Sequence, residues 1–228
     1  LYAMIAEEAC LEAGVTLHYH EVAVDIRSTE AGLQVETMGK GLRRQITARE
    51  VIDCTGDADL VGLAGFARIR GEVRQPGTME FRIGGYEMDG LDAELIQARY
   101  QEALQDGLLQ PGDFYQADGS FLDFLRLAGF NCQHIIGADS STSATQSEAN
   151  IQGRRSLLRL LRFFRTLPNC EHARLLYASP VTTSRETYRI VGEQTITHED
   201  YITGRVFTDA ICYTYYFIDV HTDKGIER

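Results

Sequence analysis

The nine residues Val51-Ile-Asp-Cys-Thr-Gly-Asp-Ala-Asp59 constrain the fold more than any other stretch of the chain. A short apolar run leads straight into Thr-Gly-Asp, and a segment of small residues follows as far as Ala64-Gly65. That order predicts a buried strand, a sharp turn and a helix. Gly56 lets the backbone turn tightly and lets another molecule approach with no Cβ in the way. Amides at the start of a helix favour anionic groups. On spacing alone, an ordinary β-turn-α connection explains the stretch at least as well.

The bulk of the sequence narrows the classes. Its 228 residues allow one large domain or two small ones, and 44% hydrophobic content is enough for a sizeable core. A formal net charge of −11 argues against a nucleic-acid partner, which needs a basic face to neutralise phosphates. Cys10, Cys54, Cys132, Cys170 and Cys212 are scattered, with no metal-ligand spacing. They read as free thiols in a reducing compartment, so no metal site is expected and a cytoplasmic location is the default. No apolar run is long enough to span a bilayer, and no membrane partner is expected.

Along the chain, residues 2–13 are good helix formers closed by Gly14. Val15, Leu17 and Tyr19 alternate with polar residues, as do Val22, Val24 and Ile26, then Leu33, Val35 and Thr37. With residues 42–48 they predict a meander of three or four antiparallel strands, followed by a core strand at Val51. Met79 to Ile83 is strand-like, residues 92–105 form a helix, and residues 108–142, with Pro111, Gly112, Gly119 and Gly129, read as irregular. Thr145-Gln-Ser-Glu148 is a capping box for a long helix reaching about Thr166, and Thr197-His-Glu-Asp200 caps a short one. Residues 211–220 are rich in β-formers and predict a strand. Arg154, Arg155, Arg159, Arg162 and Arg165 stripe the long helix. In an acidic chain such a stripe is more often a solvated face paired with carboxylates than a membrane surface.

Four stretches in order resemble the FAD-dependent oxidoreductase family of two-dinucleotide-binding flavoproteins. Residues 51–59 are similar to the family's Ile-Asp-Ala-Thr-Gly-Asp-Gly-Asp turn, with Cys54 and Ala58 as small replacements, and Ala64-Gly65 completes the match. Asn150-Ile-Gln-Gly-Arg-Arg155 resembles its Glu-Gly-Arg-Arg helix. Ser184-Arg-Glu-Thr-Tyr-Arg-Ile-Val-Gly-Glu193 resembles its Arg-Glu-Thr-Arg-Arg-Ile-x-Gly signature, with Tyr188 for the first Arg of the pair. Ile196-Thr-His-Glu-Asp200, Phe207-Thr-Asp-Ala-Ile211 and Asp219-Val-His221 follow. The resemblance implies an oxidoreductase in which FAD accepts a hydride from a small organic substrate, with Thr55, Gly56, Asp57 and Asp59 at the cofactor. It also implies an α/β fold, α+β as truncated. Residues 1–66 would be a partial FAD-binding domain with a β-meander, residues 67–185 an inserted substrate domain, and residues 186–228 a return to the first.

The G-x-G-x-x-G loop that holds the FAD pyrophosphate in such enzymes does not occur in these residues. Gly39-Lys-Gly41 lacks the third glycine, which is Arg44, and the strand–helix context. The expectation is therefore an internal piece of the enzyme, proteolysed or deliberately shortened, that alone holds FAD weakly or not at all. Three residues are candidates for chemistry. Arg185 either clamps a substrate carboxylate or pairs structurally with Glu186 or a neighbour. His221 and Asp219 are either an acid/base pair or a solvated strand end. His134 either contacts flavin or substrate or is an unremarkable loop histidine. The competing function is a non-catalytic α+β binding module, and oligomeric state is unread.

Overall fold

The computed structural model describes residues 1–115, 120–222 and 226–227, so Gly119 lies outside the described residues. The fold is mixed α+β, helices with antiparallel sheets. The chain divides into two compact units, Leu1–Ile69 and Arg70–Arg228.

The first unit opens with α1 (Tyr2–Glu12) and continues as an antiparallel meander of β1 (Glu21–Thr29), β2 (Gly32–Gly39) and β3 (Leu42–Ala48), in the order β1-β2-β3. The alternation in β1 does not place its valines inside, since Val22 and Val24 are exposed. A bulge between Ala23 and Asp25 is the reason. One extra residue reverses which face later side chains occupy, so Ile26 is buried opposite Val35 while Val22 is not. Glu21 accepts from Thr37 Oγ1 at 2.6 Å, and buried Glu36 pairs with Arg43.

Two expected strands are absent here. Residues 15–18 continue the close of α1, with the Val15 amide donating to the Cys10 carbonyl at 2.9 Å. Residues 51–54 have extended-type sequence but no ladder, and Ile52 is 84% exposed. β propensity needs a neighbouring strand to become a strand, and among the described residues none pairs with them. Cys54 is likewise exposed. The expected turn and helix do form, with α2 (Asp59–Leu63) after it and the two-residue β4 (Arg68–Ile69) closing the unit.

The second unit is built around β5 (Phe81–Gly84), then α3 (Ala93–Gln105), α4 (Phe121–Leu127), β6 (Gly129–Phe130), α5 (Ser143–Phe164) and β7 (Arg174–Ala178). β5 lies between β6 and β7, antiparallel to both. Asp92 caps α3 by accepting from the Glu94 and Leu95 amides, each at 3.0 Å. The stretch read as irregular contains α4, whose Phe121, Phe124 and Leu125 sit at helical spacing and are buried. These side chains meet Phe81, Phe114, Phe163 and Phe164 in one aromatic core, with Phe124 stacked on Phe164 at 5.6 Å.

The long helix begins one turn earlier than expected. Thr142, not Thr145, is its N-cap, in a reciprocal box with Thr145. The short β8 (Arg189–Ile190) and α6 (His198–Ile202) follow, the latter capped by Thr197 and Asp200 as its sequence predicts. The strand expected over residues 211–220 reduces to β9 (Val220–His221), which pairs with β10 (Ile226–Glu227). Ile211 and Tyr215 are almost wholly exposed, again for want of a neighbouring strand.

Candidate functional site

Main-chain hydrogen bonds between loops fix the segment that carries His134. Its amide donates to the Gly112 carbonyl at 2.9 Å, and the next amide, Ile135, donates to the Gly77 carbonyl at 2.8 Å. Gly112 is needed for that approach, because a Cβ there would stand 2.2 Å from the His134 carbonyl oxygen. Tyr115 stacks on the imidazole at 4.2 Å between ring centres and 17° between planes. The ring is thus held on one face by an aromatic and along its backbone by two neighbouring loops.

Chain folding brings His221 to it across 87 residues. His134 Nε2 and His221 Nδ1 lie 2.9 Å apart, and both residues are buried. On its other side, His221 Nε2 faces Asp219 Oδ2 at 3.4 Å. The His221 amide donates to Gln75 Oε1 at 3.0 Å, which anchors the strand end. The expected Asp219–His221 pair therefore forms, and His134 joins it. None of the three is a solvated surface group.

Arg185 belongs to the same cluster. Its side chain donates to Asn131 Oδ1 at 2.8 Å, and Glu186 pairs instead with Arg189 at 3.2 Å, so the Arg185–Glu186 pairing is not made. Arg185 Nε and Asp219 Oδ1 are both buried with no partner. Burial, the neighbouring His221 and Arg185 push His134 down to about 4. Burial and Arg185 also lower His221, against an opposing pull from Asp219. Arg185 itself is lowered by burial, which Asp219 offsets. A hydrogen bond with the Thr222 main chain favours charged His134.

Beside this cluster, a half-open cavity of about 510 Å³ separates residues 110–113 from one face of α5, with His134 on its wall. Arg159 crosses it to Asp113 with two hydrogen bonds of 2.6 and 2.7 Å. Of the arginine stripe, Arg154 donates to the Pro180 carbonyl at 2.6 Å and Arg165 to the Ala173 carbonyl at 2.8 Å. The stripe is therefore in part a tether between α5 and its neighbours, with only Arg159 paired to a carboxylate among the described residues.

In the first unit, the turn at residues 53–59 is organised by Asp53. Its carboxylate accepts from the Thr55 amide at 2.9 Å, the Thr55 hydroxyl at 2.7 Å and the Val61 amide at 3.1 Å. Hydrogen bonds to Thr55 and Val61 lower Asp53 against the opposing cost of burial. The Asp59 amide donates to Thr55 Oγ1 at 3.0 Å. Gly56 has φ +85°, and no atom lies within 4 Å of where its Cβ would be. Asp59 is raised by burial and by Asp57. Thr55, Gly56, Asp57 and Asp59 thus form one turn with an open backbone face, and the residues fit close contact with a cofactor.

Sequence reading missed Tyr115, Asn131, Gln75 and the Asp113–Arg159 bridge. None sits in a motif, and each matters only through a contact made across the fold. Among the described residues there is no cluster suited to a metal ion. No described helix is long and apolar enough to cross a membrane.

No curated protein and no solved structure matches the chain. The model of the family described as FAD dependent oxidoreductase matches residues 1–228. A general oxidoreductase function and FAD as the cofactor of the family follow from that match. The chain belongs to the FAD dependent oxidoreductase family.

Proposed function

We propose that this chain is part of a FAD-dependent oxidoreductase that removes a hydride from a small organic substrate, and that His134, His221 and Asp219 carry the accompanying proton. The observation that carries the reading is the buried chain Asp219–His221–His134, with contacts of 3.4 and 2.9 Å. FAD, when bound, supplies the hydride acceptor.

The protons of the histidine pair can be counted. With His221 donating from Nε2 to Asp219, its Nδ1 accepts from His134 Nε2. Those two donations use the two ring protons that two neutral imidazoles carry. The neutral pair satisfies both contacts, and burial opposes holding an added charge. Such a pair suits taking up a proton and passing it on, and is poor at storing one. Arg185, half-buried beside it, adds positive potential that orients an anionic substrate group and hastens release of the proton.

Thr55, Gly56, Asp57 and Asp59 are the residues that would hold the cofactor. Gly56 admits close approach of its backbone. Carboxylates at Asp57 and Asp59 accept from sugar hydroxyls and repel phosphates, so their fit is to the ribityl or ribose part. Residues 1–66 and 186–228 as the FAD-binding part, with residues 67–185 as the substrate domain, are the division of labour that fits this function.

The test is flavin reduction in the FAD-loaded enzyme. Positioned acid–base groups contribute on the order of 10²–10⁴ in rate, so H221N and H134N should each slow reduction by at least about 100-fold. Their combination should slow it little further, because the two act as one unit. Wild-type rates in either single variant would remove the relay from the mechanism.

A further inference from the structure

We infer that the cavity beside His134 is the substrate cleft and that it takes a hydroxylated carboxylate, a small acid of the sugar-acid type. The inference rests on reading His134 as the end of the proton relay, since His134 forms part of the cavity wall.

The floor of the cleft is one face of α5. Glu148, Gln152, Arg155 and Arg159 all line it, and they recur at the three- and four-residue spacing that aligns side chains along a helix. Three of these groups are already committed. Arg159 is held by Asp113, which is 2% exposed, and by Gln110 Oε1 at 3.1 Å. Glu148 accepts from Gln152 Nε2 at 3.1 Å. Arg155 is different: it lines the cleft, and among the described residues it makes no ion pair.

A guanidinium with a planar donor fork selects a carboxylate over a neutral group. Phosphate is the other anion it could take, but Glu148 on the same lining disfavours a second negative charge. The remaining polar lining explains the hydroxyls. Beyond those bonds Gln110 keeps its amide donors, Gln152 its carbonyl oxygen and Glu148 its second carboxylate oxygen, a set that matches hydroxyl groups and not an alkyl chain. A volume of about 510 Å³ is within the usual range of small-molecule sites.

Calorimetric titration of the chain of residues 1–228, without FAD, tests this with three probes. Gluconate has both features, glucitol has the hydroxyls without the charge, and hexanoate has the charge without the hydroxyls. Gluconate should bind at least tenfold tighter than either. R155M should bring gluconate down to the affinity of glucitol, and R155K should recover part of the difference. Thermal melts of both variants establish that they are folded. Equal affinity for hexanoate and gluconate, an R155M variant that binds gluconate like wild type, or no detectable gluconate binding would each overturn the assignment. Histidine titration by NMR separates this from the relay. If His134 and His221 still titrate as a linked pair while gluconate fails to bind, the cleft is wrong and the relay stands. If gluconate binds while the two histidines titrate independently, the relay is wrong and the cleft stands.

Discussion

At the scale of the residue, His134 makes a prediction about stability as well as chemistry. In the unfolded chain it titrates near 6.5, and in the folded protein burial, His221 and Arg185 hold it down to about 4. Between those values the unfolded state binds more protons, so acid pulls the equilibrium toward unfolding. The stability tied to neutral His134 is complete above about pH 6.5 and is lost as pH falls through about 4. For a ring only 5% exposed, a shift of this size is worth roughly 3 kcal/mol, at about 1.4 kcal/mol per unit. Denaturant melts of wild type should therefore weaken steeply from pH 7 to pH 4. H134N should be less stable at pH 7 and show a much flatter acid slope. Parallel slopes in the two proteins would mean that His134 is not the group that titrates. The sequence made Asp219 and His221 legible as a pair, because alternate residues of a strand share a face. Joining His134 to them was not legible, since that contact spans 87 residues and depends on the Gly112 and Gly77 loops.

At the scale of the element, the two capping boxes show how local chemistry was read well in one place and displaced in another. Thr197 and Asp200 cap α6 at the expected residues, with the Thr197 amide donating to Asp200 Oδ2 at 2.9 Å. For α5, Thr145-Gln-Ser-Glu148 carries the stronger motif, yet the helix starts with Thr142. Starting a turn earlier adds the bond from the Gln146 amide to the Thr142 carbonyl at 2.9 Å. It also leaves Glu148 free to accept from Gln152 on the cleft face. Two cap signals three residues apart lie on the same helix face, so the hydrophobic pattern cannot choose between them. Substitution can. T142A should cost about 1 kcal/mol in a denaturant melt, and E148A only a few tenths at most, as expected of an exposed helix pair. Equal losses would restore Glu148 as a capping residue. The strands were less legible than the helices for a related reason. Helices close their own hydrogen bonds, whereas residues 51–54 and 211–219 have β-forming side chains without a neighbouring ladder.

At the scale of the whole molecule, FAD affinity is where charge and motif meet. The pyrophosphate brings negative charge to a chain whose formal net charge is already −11. Binding such a group ordinarily relies on a glycine loop that offers backbone amides at a helix start, and residues 1–228 contain no G-x-G-x-x-G. The turn that does resemble a flavin contact has Thr55 and Val61 amides turned inward to Asp53. Its outer groups include the carboxylates of Asp57 and Asp59, which suit hydroxyls. Gly56 keeps one backbone face open, with no atom within 4 Å of where its Cβ would be. Residues 1–228 on their own should therefore show no saturable FAD binding at micromolar concentrations, by flavin fluorescence quenching or by equilibrium dialysis. Raising salt should improve whatever weak binding exists, because screening relieves repulsion between like charges. Binding that weakens with salt would reveal a basic phosphate site that neither the motif nor the charge distribution discloses. Tight stoichiometric binding would place the phosphate grip within these residues and make the 53–59 turn a sufficient anchor.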